Sequence, residues 1–250
     1  MFQMLGHKSV SIQNDGSLSK KGVKIRREIL VDAFTSINFA NAVRKYREIK
    51  MGIAERKIRQ KEEVRSSILK AAWQLVEKDG WQALSIRKIA EAIEYSAPVI
   101  YDHFQNKEAI LLEFTREGFR ILNERLEKAR LQFTDPARQL EAMAYAYWNF
   151  AFENQEYYQL MYGLGMPSCE MVHEIAELST FTELIMGTLK AMIANSNRTE
   201  ADPYLKFRTF WSLIHGLISI NQMGKGTSVD DLNTMVLNDF MTGFIAGIKD

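Results

Sequence analysis

Cysteine is almost absent from this chain, since Cys169 is the only one among its 250 residues. A single cysteine cannot form an intrachain disulfide, so the composition predicts a protein of a reducing compartment, the cytoplasm. Long apolar runs are missing too, because no stretch approaches the roughly 20 residues that a membrane-spanning helix needs. The N-terminus also lacks the compact apolar core of a secretion signal. We therefore expect a soluble protein that does not associate with membranes.

Residue sets that carry enzyme chemistry are missing as well. The chain has only four histidines, and the run from His173 to Glu177 lacks the second histidine of a zinc-binding helix. Gly163-Leu164-Gly165 is too short for a phosphate-binding loop and is interpreted as a connector. We find no nucleophile–base pair in the sequence pattern. The sequence therefore predicts a protein that is not an enzyme and that carries no metal and no cofactor.

The net charge of +1 conceals a division between the two halves of the chain. Residues 1–116 contain 21 Lys and Arg against 14 Asp and Glu, whereas residues 117–250 contain 11 against 17. A basic front half and an acidic back half are typical of a protein that brings one end to a polyanion. The charge pattern thus supports nucleic-acid binding without requiring it.

Two short helices joined by a tight turn are predicted within residues 85–107. The apolar positions of the first helix recur at the spacing of one helical face: Ile86, Ile89, Ala90 and Ile93. Ser85 and Ser96 are the predicted N-caps of the two helices, and Pro98 suits the first turn of the second. Only three residues remain between the helices, so the pattern indicates a helix-turn-helix.

The second helix of this motif is predicted to carry a polar and aromatic outer face. Its length of about two turns suits insertion of its N-terminal end into a DNA major groove. Asn106 is the predicted N-cap of a long third helix, and a bound phosphate would stabilise Lys107 at the first position of that helix. A small helical domain that does not bind DNA would contain the same two turns, so both interpretations stay open on geometry alone.

The same segment resembles the DNA-binding domain of the tetracycline-repressor (TetR) family. The resemblance covers residues 62–119 and rests on the spacing Tyr-x-His-Phe-x-x-Lys-Glu together with the upstream helix. The residues that carry it are 85–90, 96, 101–104 and 106–111. Glu94 departs from the family pattern, because the family usually has a turn glycine there. A positive φ would cost glutamate more than glycine, so the departure bears on the shape of the turn and on the operator sequence.

The resemblance implies an all-α fold, with an N-terminal three-helix helix-turn-helix domain followed by a helical ligand-binding and dimerisation domain. It implies a homodimer that binds a palindromic DNA operator, most often as a repressor, and that a small apolar effector releases. The implied DNA-binding residues are Ser85, Ser96, Ala97, Pro98, Val99, Tyr101, His103 and Lys107. Ala97, Pro98 and Val99 would face base edges, and four of the others would hold phosphates: Ser85, Tyr101, His103 and Lys107.

The predicted domain boundaries are residues 51–116 for the DNA-binding domain and residues 117–250 for the effector-binding and dimerisation domain. Residues 1–50 have two interpretations. They are a basic arm that tracks the phosphate backbone or a minor groove, or they are a disordered extension that a mis-assigned start codon has added. We favour the second, because Met51 stands at a natural distance before the first helix of a TetR-like domain.

Large aromatic and methionine side chains are concentrated between residues 142 and 171. An ordinary helical core accounts for each of them taken singly. A ligand cavity lined by large adaptable side chains accounts for the same composition, so both interpretations are kept. The predicted effector-pocket residues are Trp148, Phe152, Tyr158, Met161, Met171 and Trp211.

Residues 211–216 resemble the Trp-x-x-x-His-Gly signature of one C-terminal ligand-binding and dimerisation domain of the TetR family. Small residues keep one strip of this helix thin, so another helix can approach closely. Two apolar helices at the end of a chain without a predicted sheet favour a two-fold dimer through a four-helix interface. The predicted interface residues are Ser212, His215, Gly216, Phe240 and Phe244. The alternative function is a helical adaptor that binds protein and has no DNA specificity.

Overall fold

The computed structural model describes residues 52–162, 175–197, 199–223 and 231–249, and all regular structure among them is helical. This confirms the predicted all-α fold. The chain divides into two compact units, residues 1–62 and residues 63–250. In the first unit the structure describes residues 52–62, which are helical and largely exposed. The extension predicted for residues 1–50 lies outside the described residues.

The described residues of the second unit are mainly helical. Its front part comprises α1 (63–79), a 3-10 turn (Trp81–Ala83), α2 (Ile86–Ala92), α3 (Ala97–Tyr101) and α4 (Lys107–Arg130). Its back part comprises α5 (Pro136–Glu153), α6 (Gln155–Tyr162), α7 (Ala176–Ala194), α8 (Pro203–Met223) and α9 (Asp231–Lys249). No helix in these described segments is long and apolar enough to cross a lipid bilayer.

Three helix starts are set by side-chain caps, of which the cap at Asn106 confirms a prediction. The side chains of Asn106, Asp135 and Asp202 each accept a hydrogen bond from a backbone N–H of the following first turn, at 2.8, 3.4 and 2.9 Å. Pro136 and Pro203 occupy the first helical positions after the two aspartates, where a missing N–H costs nothing. Each cap stabilises its helix by about 1 kcal/mol, so these starts are set by local chemistry.

A front cluster of buried side chains holds α1 to α4 together. Its fully buried members include Ile68, Ala72, Ile89, Ile100 and Ile110, and α6 adds Leu160. Burial of each large aliphatic side chain contributes roughly 1.5–3 kcal/mol relative to exposure. The front cluster therefore fixes the angle between α2 and α3 without using the outer face of α3.

A back cluster fills the space between α4, α5, α7, α8 and α9. Its largest fully buried side chains are Tyr147, Trp148, Phe150, Phe181 and Phe210. Of these, α5 supplies the first three, which makes α5 the central helix of this part. The 24-residue helix α4 enters both clusters, since Ile110 and Phe114 pack in the front cluster while Leu112 and the buried apolar residues from Phe119 onward pack in the back cluster.

Candidate nucleic-acid interface and ligand pocket

The turn between α2 and α3 is closed by two backbone hydrogen bonds. The Tyr95 N–H donates to the Ala90 carbonyl at 2.9 Å, and the Glu94 N–H donates to the Glu91 carbonyl at 3.2 Å. This is the Schellman pattern of a helix C-terminus, which needs a left-handed residue directly after the C-cap. Glu94 supplies it with φ 58°, the only positive φ of a non-glycine residue in the described chain. The turn thus keeps the geometry of the glycine version at a cost in strain.

The outer face of α3 is open to solvent. Ser96, Pro98 and Tyr101 are exposed, and the Tyr101 side chain is 55% accessible. Ala97 and Val99 are half-buried at the edge of this face, whereas the inward Ile100 is fully buried in the front cluster. A short helix held from one side and exposed on the other can enter a groove of a partner, as the sequence predicted for this segment.

Only one of the two predicted serine caps forms. The Ser85 hydroxyl accepts a hydrogen bond from the Lys88 N–H at 3.3 Å. The prediction that the Ser96 side chain caps α3 is wrong, because Ser96 makes no capping hydrogen bond. Pro98 has no N–H to donate, and the Val99 N–H donates instead to the Ser96 carbonyl at 3.0 Å. The exposed Ser96 hydroxyl therefore remains available to an external partner.

Lys107 and His103 flank the link from α3 to α4. Lys107 is the first residue of α4, so its backbone lies in the first turn, where N–H groups have no partner within the helix. His103 is half-buried, and its Nδ1 atom is buried without a hydrogen-bond partner. The neighbouring Phe104 is buried beneath the Arg65 guanidinium, which lies 4.7 Å above the ring. Arg65 also forms an ion pair with Glu113 at 3.0 Å, so both of its contacts lie within the front part of the chain.

A pocket of about 380 Å³ lies between α6 and α8. Seven described residues line it: Tyr158, Gln159, Tyr162, Trp211, His215, Ser219 and Gln222. Those on α8 recur every three or four positions, so they share one helical face. None of these seven side chains is an acid, a lysine or an arginine. The pocket therefore offers aromatic surface and neutral hydrogen-bonding groups.

His215 forms the inner wall of this pocket. Its Nε2 atom lies 2.7 Å from the Tyr147 hydroxyl, and its Nδ1 atom lies 2.7 Å from the Tyr158 hydroxyl. A neutral imidazole donates through one nitrogen and accepts through the other, so both contacts are satisfied without a charge. Burial lowers the pKa of His215 to about 4, and burial likewise raises the pKa of both tyrosines well above the usual value. The ring is therefore neutral near pH 7.

Two hydrogen-bond donors beside His215 have no partner. The Tyr162 hydroxyl and the Trp211 indole N–H are both buried and make no hydrogen bond. Both groups lie near the Tyr147 hydroxyl and influence the pKa of that side chain. An unsatisfied buried donor costs about 1–3 kcal/mol relative to one that is paired.

The structure brings only some of the predicted pocket residues together. Tyr158 and Trp211 line the pocket, whereas Trp148 and Met161 are buried in the back cluster and Phe152 packs against it. The remaining predicted residue, Met171, lies outside the described residues. The sequence analysis missed five lining residues, of which it had assigned His215 to the dimer interface: Gln159, Tyr162, His215, Ser219 and Gln222. Trp211, His215 and Ser219 are four residues apart, so they share one face of α8. This spacing could have identified the part of the pocket that α8 contributes.

The predicted dimer residues do not share one surface. Ser212 and Gly216 are exposed and Phe240 is half-buried, but Phe244 is only 9% accessible and packs in the back cluster. His215 points into the pocket instead of along the exposed strip. Other apolar side chains are exposed on the same two helices: Leu205, Leu213 and Ile220 on α8, and Leu232, Met235 and Val236 on α9. These residues, with Ser212 and Gly216, are called the α8–α9 face below.

Helix α6 contacts both clusters within its eight residues. The Tyr157 ring stacks on Trp73 of α1 with centroids 4.3 Å apart, and the Trp81 indole N–H donates to the Glu156 carbonyl at 2.7 Å. The next residue, Tyr158, hydrogen-bonds His215 in the pocket. A β-carbon built on Gly118 of α4 would lie 2.6 Å from the Met161 sulfur, so α6 lies very close to α4. The pocket and the front cluster thus share one short helix.

Metal chemistry finds no support in the described segments, where no three His, Cys, Asp or Glu side chains are grouped to hold an ion. Family models, in contrast, match both parts of the chain. The model described as bacterial regulatory proteins, tetR family, matches residues 68–114, and the model described as tetracyclin repressor-like, C-terminal domain, matches residues 140–240.

Individual proteins agree with these matches. The uncharacterized HTH-type transcriptional regulator YobS of Bacillus subtilis is 21% identical over 186 residues, covering 73% of this chain and 93% of the relative. The crystal structure of the TetR family transcriptional regulator PfmR from Thermus thermophilus superposes with a TM-score of 0.55 at 22% identity, covering 73% of this chain and 99% of that chain. The transcriptional regulator FadR from Bacillus subtilis, in complex with stearoyl-CoA, superposes with a TM-score of 0.57 at 18% identity over 73% and 98% of the two chains. The front and back domain matches, together with the helix-turn-helix geometry, identify this chain as a DNA-binding transcriptional regulator of the TetR family.

Proposed function

We propose that this regulator is a repressor that binds a palindromic operator as a homodimer and is released by a small-molecule effector. The observation that carries the proposal is the exposed outer face of α3 beside Lys107 at the start of α4. Exposed polar groups on a short helix and a cation at a helix N-terminus are the two contacts that a groove-bound recognition helix requires. We choose repression because most regulators of the TetR family, which this chain resembles, act as repressors.

The residues that we propose for DNA contact divide into two kinds. Ala97, Pro98 and Val99 at the start of α3 would present apolar surface to base edges such as thymine methyl groups. The phosphate contacts would come from Ser85, Ser96, Tyr101, His103 and Lys107. The exposed Ser96 and Tyr101 hydroxyls can donate outward, and Lys107 and the helix N-terminus can converge on one phosphate.

We propose that the α8–α9 face forms the dimer interface. Leu213 and Ile220 are 48% and 66% exposed, and they flank Gly216, where a second helix can approach closely. Large exposed apolar side chains around small residues favour burial against an identical copy, since a two-fold axis pairs each helix with its equivalent. A palindromic operator requires the same symmetry, because two recognition helices must meet equivalent half-sites.

We propose that the pocket between α6 and α8 holds the effector and that α6 transmits its presence to the front cluster. Tyr158 and Tyr157 are consecutive residues of α6, and they contact His215 and Trp73 respectively. A molecule that displaces Tyr158 therefore acts on the packing of α1 and reduces DNA affinity by favouring a different α3 arrangement. The fold neighbour FadR was solved with stearoyl-CoA, so a related fold holds a small molecule.

Two finer assignments complete the proposal. We assign the back domain to the Trp-x-x-x-His-Gly type, because Trp211 and His215 both line the pocket. We place the functional boundary near residue 116, because Phe114 is the last buried residue of α4 in the front cluster and Phe119 begins the part of α4 that packs only in the back cluster. A regulator of this kind works in the cytoplasm, where its operator is.

Fluorescence anisotropy with the DNA upstream of the gene, titrated at several salt concentrations, tests the proposal. Wild-type protein should prefer this DNA over a scrambled duplex. Lys107→Ala should weaken binding to both DNAs and reduce the slope of log affinity against log salt by about 2, because a dimer loses two phosphate contacts.

Lys190→Ala is the matched control, since Lys190 is exposed on α7 and far in sequence from the motif. Its salt slope should equal that of the wild type. Binding without sequence preference or steep salt dependence would support a protein-binding adaptor instead. A change of sequence preference in Lys107→Ala would mean that this residue reads bases and not phosphates.

A further inference from the structure

The exposed surface of α3 is apolar at the end where the helix begins. Pro98 is exposed at the second position of α3, and Ala97 and Val99 are half-buried on either side of it. Successive residues of an α-helix point about 100° apart, so these three side chains form one ridge with Pro98 at its centre. Ile100 comes next and is fully buried in the front cluster, which holds the opposite side of the helix. The ridge therefore presents carbon atoms outward from a fixed helix.

Hydrogen-bonding groups are scarce along this ridge. Paired hydrogen bonds to base edges come from arginine or lysine for guanine and from asparagine or glutamine for adenine. The structure describes all five residues of α3, and none of them is of these four types. The backbone adds little, since Pro98 has no N–H and the Val99 N–H already donates to the Ser96 carbonyl at 3.0 Å. The start of α3 thus lacks the groups that distinguish bases by paired hydrogen bonds.

The major groove offers one apolar feature to such a surface, the C5-methyl group of thymine. Three consecutive residues span about 3 Å along a helix axis, and neighbouring base pairs are about 3.4 Å apart. The ridge can therefore cover the methyl groups of about two neighbouring base pairs. Removing one methyl group from water on binding increases affinity by about fourfold. A fixed ridge and a few such contacts are enough to discriminate between sequences.

We propose that α3 recognises its operator half-site by the C5-methyl groups of pyrimidines, which pack on the ridge of Ala97, Pro98 and Val99. The inference rests on the proposed function and states what the operator must present to this helix. Its consequence is that 5-methylcytosine can replace thymine at these positions, because both bases place the same methyl group at the same edge. Arg87 and Lys88 are exposed on α2 and stay available for phosphates or for guanine at other positions.

Anisotropy titrations of the full-length protein with modified DNA test the proposal. Footprinting first locates the protected segment in the DNA upstream of the gene. Its thymines are then replaced in turn by deoxyuridine, which lacks the methyl group and keeps every hydrogen-bonding group. Replacing the two symmetry-related thymines that contact the ridge should weaken binding on the order of tenfold. Replacing thymines outside the half-sites should have little effect.

A second substitution separates the methyl group from the base pair that carries it. At the sensitive positions, the T·A pair is replaced by C·G or by 5-methylcytosine·G. The C·G duplex should bind at least as weakly as the deoxyuridine duplex, and the methyl group on cytosine should recover most of that loss. Equal affinity for the two cytosine duplexes would mean that the protein reads hydrogen-bonding groups of the T·A pair, and it would overturn the proposal.

Pro98→Ser completes a double-mutant cycle between the ridge and the methyl group. This variant should bind native DNA more weakly than the wild type and should discriminate less against deoxyuridine. Pro136→Ser is the matched control, because it makes the same chemical change in the first turn of α5, in the back part of the chain. It should retain wild-type affinity and full discrimination. Circular dichroism verifies that both variants are folded, and the wild-type comparison of the modified duplexes needs no variant.

Two further outcomes would overturn the proposal: equal or tighter binding of the deoxyuridine duplexes by the wild type, and undiminished discrimination by folded Pro98→Ser. Either result leaves the proposed function standing when the wild type still prefers native DNA over a scrambled duplex. Loss of that preference would overturn the proposed function, and the inference with it. The scrambled duplex and the modified duplexes thus test the two proposals separately.

Discussion

The α3 face and the α6–α8 pocket use the same residue types in opposite ways. In the α3 face, Ser96 and Tyr101 expose their hydroxyls to solvent, and no long-range hydrogen bond holds them. In the pocket, Tyr158 is buried and bonds to His215, which is 57 residues away in sequence. Polar groups at the surface need no partner because water supplies one, whereas buried ones need partners from distant helices. The first region is therefore locally encoded, and the second depends on the whole fold.

The largest expected effect is a loss of stability in Trp148→Ala, which tests whether Trp148 belongs to the back cluster or to the pocket. Trp148→Ala should lower the free energy of unfolding by about 3–5 kcal/mol, because it removes a large side chain that is 1% exposed in the back cluster. Urea unfolding followed by circular dichroism measures this loss. A loss below about 1 kcal/mol, combined with an altered ligand response, would restore the interpretation of Trp148 as a pocket residue.

Acid should weaken the back part of the molecule through His215. Burial lowers the pKa of this residue from 6.5 to about 4. Between these two pH values the imidazole is protonated in the unfolded chain and neutral in the folded chain. Stability should therefore fall as the pH decreases from about 6.5 to about 4, by at most about 3 kcal/mol from this group. Urea unfolding across this range measures the effect.

His215→Gln provides the comparison for that measurement. Glutamine stays neutral throughout, so the variant should lose less stability than the wild type between the same two pH values. An identical pH dependence in both proteins would show that other groups control acid unfolding.

The exposed face should respond in the opposite way, losing function without losing stability. Tyr101→Ala should weaken operator binding by about tenfold, because each protomer of the proposed dimer would lose its proposed phosphate contact. Its urea midpoint should match that of the wild type, since the side chain is 55% exposed. Tyr101→Phe should reproduce most of the loss of affinity if the hydroxyl makes the contact. A shifted urea midpoint would mean that Tyr101 supports the fold.

The smallest effect is expected at the turn before α3. Glu94→Gly should increase the free energy of unfolding by about 1 kcal/mol, because glycine adopts a positive φ without steric cost. Glu91→Gly within α2 makes the same chemical change at a helical position and should destabilise by about as much. Thermal unfolding measures both changes in stability. A stabilised Glu94→Gly and a destabilised Glu91→Gly would verify the left-handed turn, and destabilisation of both variants would contradict it.

Sequence reasoning succeeded where one turn of chain contains the whole interaction. Asn106 could be predicted as a cap because the side chain and the N–H group that it accepts from are only three residues apart. The same reasoning failed for Ser96, where the pattern included Pro98 as favourable but overlooked that proline removes one of the N–H groups that a cap needs. Correct prediction thus required counting donors as well as acceptors.

The pocket could be predicted only in part, because the rotation of a helix about its axis is set by its neighbours. His215 and Gly216 were assigned to one surface, yet consecutive residues of an α-helix point about 100° apart. Gly216 is exposed while His215 reaches Tyr147 on α5. Which of the two faces inward depends on the packing of α5 and α6 against α8, and a single sequence does not contain that information in local form.

The shortness of α6 limits what this protein can do with a bound molecule. Eight residues make a rod of about 12 Å, too brief to flex along its length. Gly118 leaves no slack on one side, since even a methyl group there would collide with Met161. On the proposed mechanism, a displacement of Tyr158 by a bound molecule is therefore expected to move Tyr157 and its stack on Trp73 together with it.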